Sequence, residues 1–420
     1  MNKVLIVTYY WPPSGGAGVQ RWLKFSKYLP EFGWEPIILT VDPEFAAYPV
    51  TDDSLAKELP LSVKIHRTPA IDYFSIYKKD KTKIPTAGFA NKVDNSFKDK
   101  ILRFIRGNFF IPDPRRGWNG YAFRKACELI NSEEISCIIT TSPPHSTQLI
   151  GLKLAKKYPG LKWIADLRDP WTDIYYYKMF YPTYLSKFID SRYEKMVLKT
   201  AGIIITIGAA LGKMFESRVA GIGNKISILP NGYDDNDFTG KSGKIPERFT
   251  ISHVGTISEY YPIEGLVKAL RQIQSAGIDF VFRFTGLVTQ SRKDLMTTNL
   301  DKDKIEFIPY VTHNVAIQTM LDASLLLLII AENKDNRAFL SGKIFEYLAS
   351  GRPVLCLGPV DGEAAMLISW FKQGATFEYH DSENIAAYIR TVIEQPQSTY
   401  TNPLEYSRRN LTKQLASLLK

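Results

Sequence analysis

Short runs of β-branched and aliphatic residues alternate with helical patterns along most of this chain, and no other feature limits its fold so sharply. Residues 4–8, 36–41, 63–67, 137–141, 163–166 and 203–207 are strand-like, and segments such as 20–29, 121–131 and 146–157 carry helical spacing between them. Parallel strands need long crossovers, so this alternation predicts parallel sheets covered by helices. The pattern pauses over 229–248, which is rich in Asn, Asp, Gly, Lys and Pro and reads as a linker. It resumes with strand-like runs at 249–254, 280–284, 304–308, 324–330 and 353–357, with helices such as 263–275 and 343–350 among them. The expectation is an α/β chain of two Rossmann-like domains, 1–238 and 239–402. Residues 403–420 would follow as a closing helix, since Leu411, Leu415 and Leu418 share one helical face.

Composition narrows the class further. A chain of 420 residues with 45% hydrophobic content is long enough for two or three cores and too apolar to be disordered. Cys127, Cys137 and Cys356 are an odd number without C-x-x-C spacing, which argues against a disulfide framework or zinc module and points to a reducing cytoplasm. The longest uncharged stretch, 200–212, has 13 residues, whereas a bilayer-crossing helix needs about 20. Residues 2–9 read as a buried first strand, being too short for the apolar core of a signal peptide.

Three constellations could carry chemistry. The first, Trp11-Pro-Pro-Ser-Gly-Gly-Ala-Gly-Val-Gln-Arg21, joins the first strand to a helix. Gly15 and Gly16 would let the backbone approach a ligand, with Ser14 and Arg21 beside them. Its glycines do not fit G-x-G-x-x-G, and a plain tight turn would have the same composition. The second is Ser341-Gly-Lys-Ile-Phe-Glu-Tyr-Leu-Ala-Ser-Gly-Arg-Pro-Val354. Here Ser341 and Gly342 open a helix whose first turn carries Lys343, placed to meet a phosphate. Glu346 lies one turn on, where a carboxylate can accept two hydrogen bonds from a ribose diol. The bland alternative is an exposed Lys–Glu pair. The third joins Thr141-Ser-Pro-Pro-His145 to Asp166-Leu-Arg-Asp169, both at the carboxyl ends of expected strands, where open α/β sheets bind ligands. An Arg168–Asp169 pair that merely buttresses its loop is the competing reading. Asp235, Asp237, Asp301 and Asp303 are expected to be solvated loop acids, and no metal site is expected.

Taken in order, these stretches resemble family-four retaining glycosyltransferases of the GT-B fold, of the type used in surface polysaccharide biosynthesis. The helix at 341–354 is similar to the family's nucleotide-sugar signature, and Leu229-Pro-Asn-Gly-Tyr-Asp-Asp-Asn-Asp-Phe238 is similar to its connection into the second domain. His253-Val-Gly-Thr256 resembles its phosphate-binding strand end, and Ala165-Asp-Leu-Arg-Asp-Pro-Trp171 a loop facing the cleft. The resemblance implies two domains facing a central cleft, with the C-terminal helix crossing back to the first. It implies transfer of a sugar from an NDP-sugar, with no other cofactor, to a glycan or lipid-linked acceptor. By the same resemblance Gly15, Gly16, Gly255, Thr256, Ser341, Gly342, Lys343 and Glu346 would bind the donor, His145 the acceptor, and Arg168, Asp169 and Lys343 would carry catalysis. Three positions depart from the family pattern: Thr256 stands for an Arg, Glu264 for a Lys, and Ala338 for the first of two paired glutamates. Lys343, with Arg337, would then replace the lost positive charge. Two rivals remain: a non-catalytic sugar-binding relative, and an NAD-dependent oxidoreductase with Asp42 on the ribose.

The net charge of +10 is concentrated, because residues 78–116 hold 11 basic residues against four acidic ones. Phe97, Ile101, Phe104 and Ile105 recur at helical spacing there, with Lys98, Lys100, Arg103 and Arg106 around the turn and Phe109 and Phe110 following. Over 97–110 this predicts a basic amphipathic helix, either packed on the N-terminal domain or lying on an anionic membrane surface, peripheral on its inner face. No nucleic-acid module or basic–aromatic platform surrounds it, so nucleic acid is not an expected partner.

Overall fold

A computed structural model describes the chain except for residues 49–50, 61, 74–96, 175, 245, 334–335, 339, 397–399 and 401–402. Five of the clustered basic residues, Lys78, Lys79, Lys81, Lys83 and Lys92, therefore lie outside the described residues. The chain divides into two compact units, Met1–Pro230 together with Arg408–Lys420, and Asn231–Ser407.

The first unit is built on seven parallel strands: β1 (Asn2–Val7), β2 (Trp34–Val41), β3 (Lys64–Thr68), β4 (Cys137–Ser142), β5 (Lys162–Leu167), β6 (Ile203–Thr206) and β7 (Ile226–Ile228). Their spatial order is β3-β2-β1-β4-β5-β6-β7, so the sheet runs outward in both directions from β1. Alternate residues of β1 serve opposite faces: Leu5 and Val7 join one apolar cluster, Val4 and Ile6 the other. Both faces are buried because a crossover helix covers each, which is why these strands read as unbroken apolar runs.

The second unit repeats the plan with β8 (Phe249–Val254), β9 (Phe280–Thr285), β10 (Ile305–Ile308), β11 (Leu325–Ile329), β12 (Val354–Leu357) and β13 (Gly374–Phe377). Its order is β10-β9-β8-β11-β12-β13, again all parallel. Leu325, Leu327 and Ile329 point to one core and Leu326 and Leu328 to the other. The strand order reverses direction beside β1 in the first sheet and beside β8 in the second. Ligands of open α/β sheets bind at the carboxyl ends of strands at such points.

Two details differ from the reading of the sequence. The segment expected as a linker is folded into the second unit from Asn231 onward. Tyr233 is buried in that unit's core and its N–H donates to the Tyr406 carbonyl at 3.1 Å, which anchors the polar stretch to structure. The closing helix is Arg408–Leu419, and it buries Leu411, Leu415 and Leu419 while Leu418 is only partly covered. It packs on the helix Ala17–Tyr28 of the first unit.

Candidate active site

In the second unit the construction starts at the end of β8, where Gly255 takes φ +139°. Its N–H donates to the Thr285 carbonyl at 2.8 Å, and β9 ends in Gly286, at φ +131°. A Cβ on Gly286 would lie 2.2 Å from the Gly255 oxygen, so the two strand ends approach this closely only because residue 286 is glycine. The space a Cβ on Gly255 would fill is occupied by Lys343, whose Nζ lies 1.7 Å from that position. Lys343 opens the seven-residue helix Lys343–Ala349, and Tyr347 of the same helix accepts a hydrogen bond from the Val254 N–H at 3.0 Å. That buried phenol ties the helix to β8 and sets where Lys343 points. Burial lowers the Lys343 ammonium to about 8, with Glu346 acting in the opposite sense. Lys343 is therefore turned inward, and is not half of an exposed Lys–Glu pair.

His253, two residues before Gly255 and with its Nε2 3.6 Å from the position of a Cβ there, is 2% exposed. Its Nδ1 lies 3.0 Å from the Leu327 carbonyl, an acceptor only, so this nitrogen carries the proton. Burial, then the Lys343 charge, lowers the imidazole to about 3, and its Nε2 has no hydrogen-bond partner among the described residues. Glu346 faces His313: the His313 Nε2 lies 3.9 Å from its carboxylate and 3.0 Å from that of Asp237. Asp237 is thus held in a three-residue contact rather than standing as a solvated loop acid. Asp303 does meet its expectation of a surface acid, in pairs with Arg248 and Lys304 at 3.5 Å.

The remaining second-unit residues fall as follows. Ser341 and Gly342 directly precede the Lys343 helix, and the nearest neighbour a Cβ on Gly342 would meet is the Asn231 side chain at 3.9 Å. Thr256 follows Gly255 at the strand end, partly covered. Glu264, at the family's lysine position, is bound to Arg292 at 2.5 Å, so no uncompensated acid stands there. Arg337 does not join Lys343; it is 69% exposed and paired with Asp361 at 2.9 Å.

In the first unit a buried polar cluster sits at the ends of β4 and β5. The Asp166 carboxylate accepts from Trp22 Nε1 at 2.8 Å, Thr141 Oγ1 at 2.8 Å and Arg21 at 3.1 Å, all fully enclosed. Arg21 also donates to the Pro230 carbonyl at 2.7 Å. A buried arginine with these partners is structural, and burial lowers its affinity for the proton. Arg168 bends back over the glycine loop: Nε donates to the Ser142 carbonyl at 3.1 Å and lies 3.7 Å from Asp166. A Cβ on Gly18 would be 2.5 Å from the Arg168 guanidinium, so Gly18 is the glycine that makes room here. Gly16 owes its identity to φ +100°, and a Cβ on it would meet nothing within 4 Å; Gly15 precedes it in the same turn. Asp169 makes no ion pair or hydrogen bond among the described residues, so it is not the buttress of Arg168. Burial raises its carboxyl, against the opposing effect of Arg168.

His145 stacks on Trp171 with centroids 4.8 Å apart and 14° between planes. Burial lowers it to about 4, so the ring is neutral near pH 7. Several supporting residues had no signal in the sequence. Asp113 accepts from both N–H and Oγ of Ser146, at 2.8 and 2.9 Å, capping the helix that follows His145. Asp190 and Glu194, one turn apart on the helix Tyr184–Thr200, accept from Trp171 Nε1 and Thr172 Oγ1, each at 2.7 Å. Asp42 accepts from the Glu44 N–H at 3.0 Å, capping its own turn. Among the described residues no three of His, Cys, Asp and Glu are grouped to hold a metal, and no helix is long and apolar enough to cross a membrane.

Residues 234–410 match the family model described as Glycosyl transferases group 1. No curated protein sequence matches the chain. Among solved structures, the fold is shared with Alr3699/HepE of Anabaena in complex with UDP, at 13% identity over 100% of this chain and 95% of that one, TM-score 0.58. The lipopolysaccharide outer core galactosyltransferase WaaB is similar at 12% identity over 99% of both chains, TM-score 0.60. The N-terminal domain of Candida albicans trehalose-6-phosphate phosphatase is similar at 13% identity over 100% and 96%, TM-score 0.58. The fold is GT-B, and the family match over the second unit supports a glycosyltransferase.

Proposed function

We propose that this protein is a retaining glycosyltransferase that takes a sugar from an NDP-sugar held by its second unit. The observation that carries the reading is the Lys343 ammonium seated against Gly255 at the end of β8, inside the region that matches the family. Breaking the sugar–phosphate bond builds negative charge on the departing diphosphate, and a fixed cation with backbone N–H groups answers that charge without reorganising. Lys343 supplies the cation, the Thr256 N–H and the turn at Ser341–Gly342 supply N–H groups, and Glu346, steadied by His313, accepts from the ribose. The HepE structures contain UDP and, in one case, UDP-glucose, which favours a nucleotide-sugar donor here.

The first unit would receive the acceptor. Neutral His145 and the unpaired Asp169 carboxylate offer it hydrogen-bond acceptors, and Arg168 steadies charge beside them. A glycan or lipid-linked acceptor in cell-surface polysaccharide assembly fits the kinship in fold with WaaB and an approach to the cytoplasmic membrane face through 97–110. Asp237 is a structural partner of His313, and the proposal needs no metal.

Incubation with UDP-, GDP- and other NDP-sugars, read by thermal shift, slow hydrolysis and the anomeric configuration of transferred sugar, tests the whole reading. Stabilisation by one donor, with transfer that retains its configuration, is expected. Stabilisation without hydrolysis or transfer would indicate a non-catalytic relative, and an inverted product would exclude retention. Asp169→Asn is expected to cut transfer while leaving donor stabilisation unchanged and the melting temperature no lower than the parent's.

A further inference from the structure

The helix Phe97–Phe109 buries none of its residues. Phe97, Ile101 and Phe104 follow one another at i, i+4 and i+7 and are 79%, 44% and 42% exposed, with Phe109 at 70%. They do not stand alone. The first turn of the helix Tyr184–Thr200 exposes Tyr184, Leu185 and Phe188 at 87%, 65% and 55%, and Tyr181 just before it is 46% exposed. Eight large apolar side chains left in water are a cost that a free surface rarely carries.

The two segments are fastened together. Asn108 Nδ2 donates to the Tyr181 carbonyl at 3.1 Å, and its Oδ1 accepts from the Thr183 N–H at 2.7 Å and the Ser186 hydroxyl at 2.6 Å. The Arg106 guanidinium lies 4.1 Å over the Phe180 ring. Gly107 leaves room for Phe180, whose carbonyl oxygen would be 2.3 Å from a Cβ there. Around this face stand Lys98, Lys100, Arg103, Arg106, Lys178 and Lys187, and Asp99, paired with Arg103 at 2.6 Å, is the only acid in 97–109 and 178–188.

We infer that these two segments form one membrane-docking platform, seated on a bilayer that contains anionic lipid. The inference rests on the peripheral-membrane part of the proposed function and adds to it a second segment that has no basic amphipathic pattern of its own. Aromatic and aliphatic side chains enter the boundary between headgroups and acyl chains, and the flanking lysines and arginines meet the phosphates. A two-fold pairing of copies would set these cations against themselves, which disfavours self-association through this face. Another exposed apolar group, Val360, Met366 and Trp370, lies next in sequence to Asp361 and Glu363, so charge does not recommend it for the same role.

The full chain is sedimented with vesicles of phosphatidylcholine plus phosphatidylglycerol, and with phosphatidylcholine alone. Binding to the mixed vesicles that weakens with added salt is expected. Leu185→Ser/Phe188→Ser, which alters no charge, should lower vesicle affinity by about tenfold or more. Lys98→Gln/Lys100→Gln should lower it and flatten the salt dependence. Circular dichroism and donor thermal shift of each variant should match the parent, so that failure here stays separate from failure of the proposed activity. Absence of binding to mixed vesicles overturns the inference. So does full binding by Leu185→Ser/Phe188→Ser, or a dimer in analytical ultracentrifugation that the same substitutions dissolve.

Discussion

Lys343 and Gly255 act as one unit, because the ammonium occupies the volume of the missing side chain. Gly255→Ala is therefore expected to weaken donor binding about as much as Lys343→Ala. A charge-assisted contact of this kind is worth roughly 1.5–3 kcal/mol, or about tenfold and upward in affinity. The double variant should be no worse than either single one, since both remove the same contact. Titration calorimetry with the stabilising NDP-sugar checks this. Affinity of the parent should also fall as pH rises through about 8, where Lys343 gives up its proton, and the Lys343→Ala variant should not share that fall. Lys343 could be found from sequence because strand end, helix start and cation lie in short local motifs. The Asp237–His313–Glu346 contact could not, because its partners come from separate segments that only folding brings together.

The helix Tyr184–Thr200 carries two buried carboxyls that hold the loop beneath His145. Burial raises Asp190 to about 6 and Glu194 to about 7. Both are raised acids, so the fold favours their protonated forms, and it binds more protons than the unfolded chain between about pH 4.5 and 7. Stability from Glu194 is thus fullest below about pH 4.5 and declines as pH rises to about 7, after which the penalty is constant. Glu194→Gln keeps an acceptor for Thr172 and removes the charge. It is expected to raise the free energy of unfolding at pH 7.5 by on the order of 2 kcal/mol, and the melting temperature with it, and to leave pH 4.5 nearly unchanged. Thermal unfolding followed across that range measures it. At this scale the elements that escaped the sequence were β7 and β13, three and four residues long at the margins of their sheets. Their residues are only partly buried or exposed, so the apolar run that marks an inner parallel strand is missing.

Each unit of the whole molecule has its own pair of apolar clusters, one on either face of its sheet. The terminal helix belongs to the first of them, with Leu415 fully buried among Leu411, Leu419 and residues of the helix Ala17–Tyr28. Leu415→Ala should cost about 2–5 kcal/mol. Differential scanning calorimetry is expected to show the transition of the first unit lowered and that of the second, followed by donor protection, unmoved. A single transition lowered throughout would mean the units unfold as one. The sequence by itself determined the two parallel α/β units, nearly all their strands and the Lys343 motif, because hydrophobic period and turn chemistry are local properties. Tertiary structure alone decided that the apparent linker is folded, that Arg168 bends to the Ser142 carbonyl while Asp169 stands apart, and that a second segment completes the apolar platform at 97–109. Those outcomes depend on which distant groups share a desolvated space, and no window of neighbouring residues contains that information.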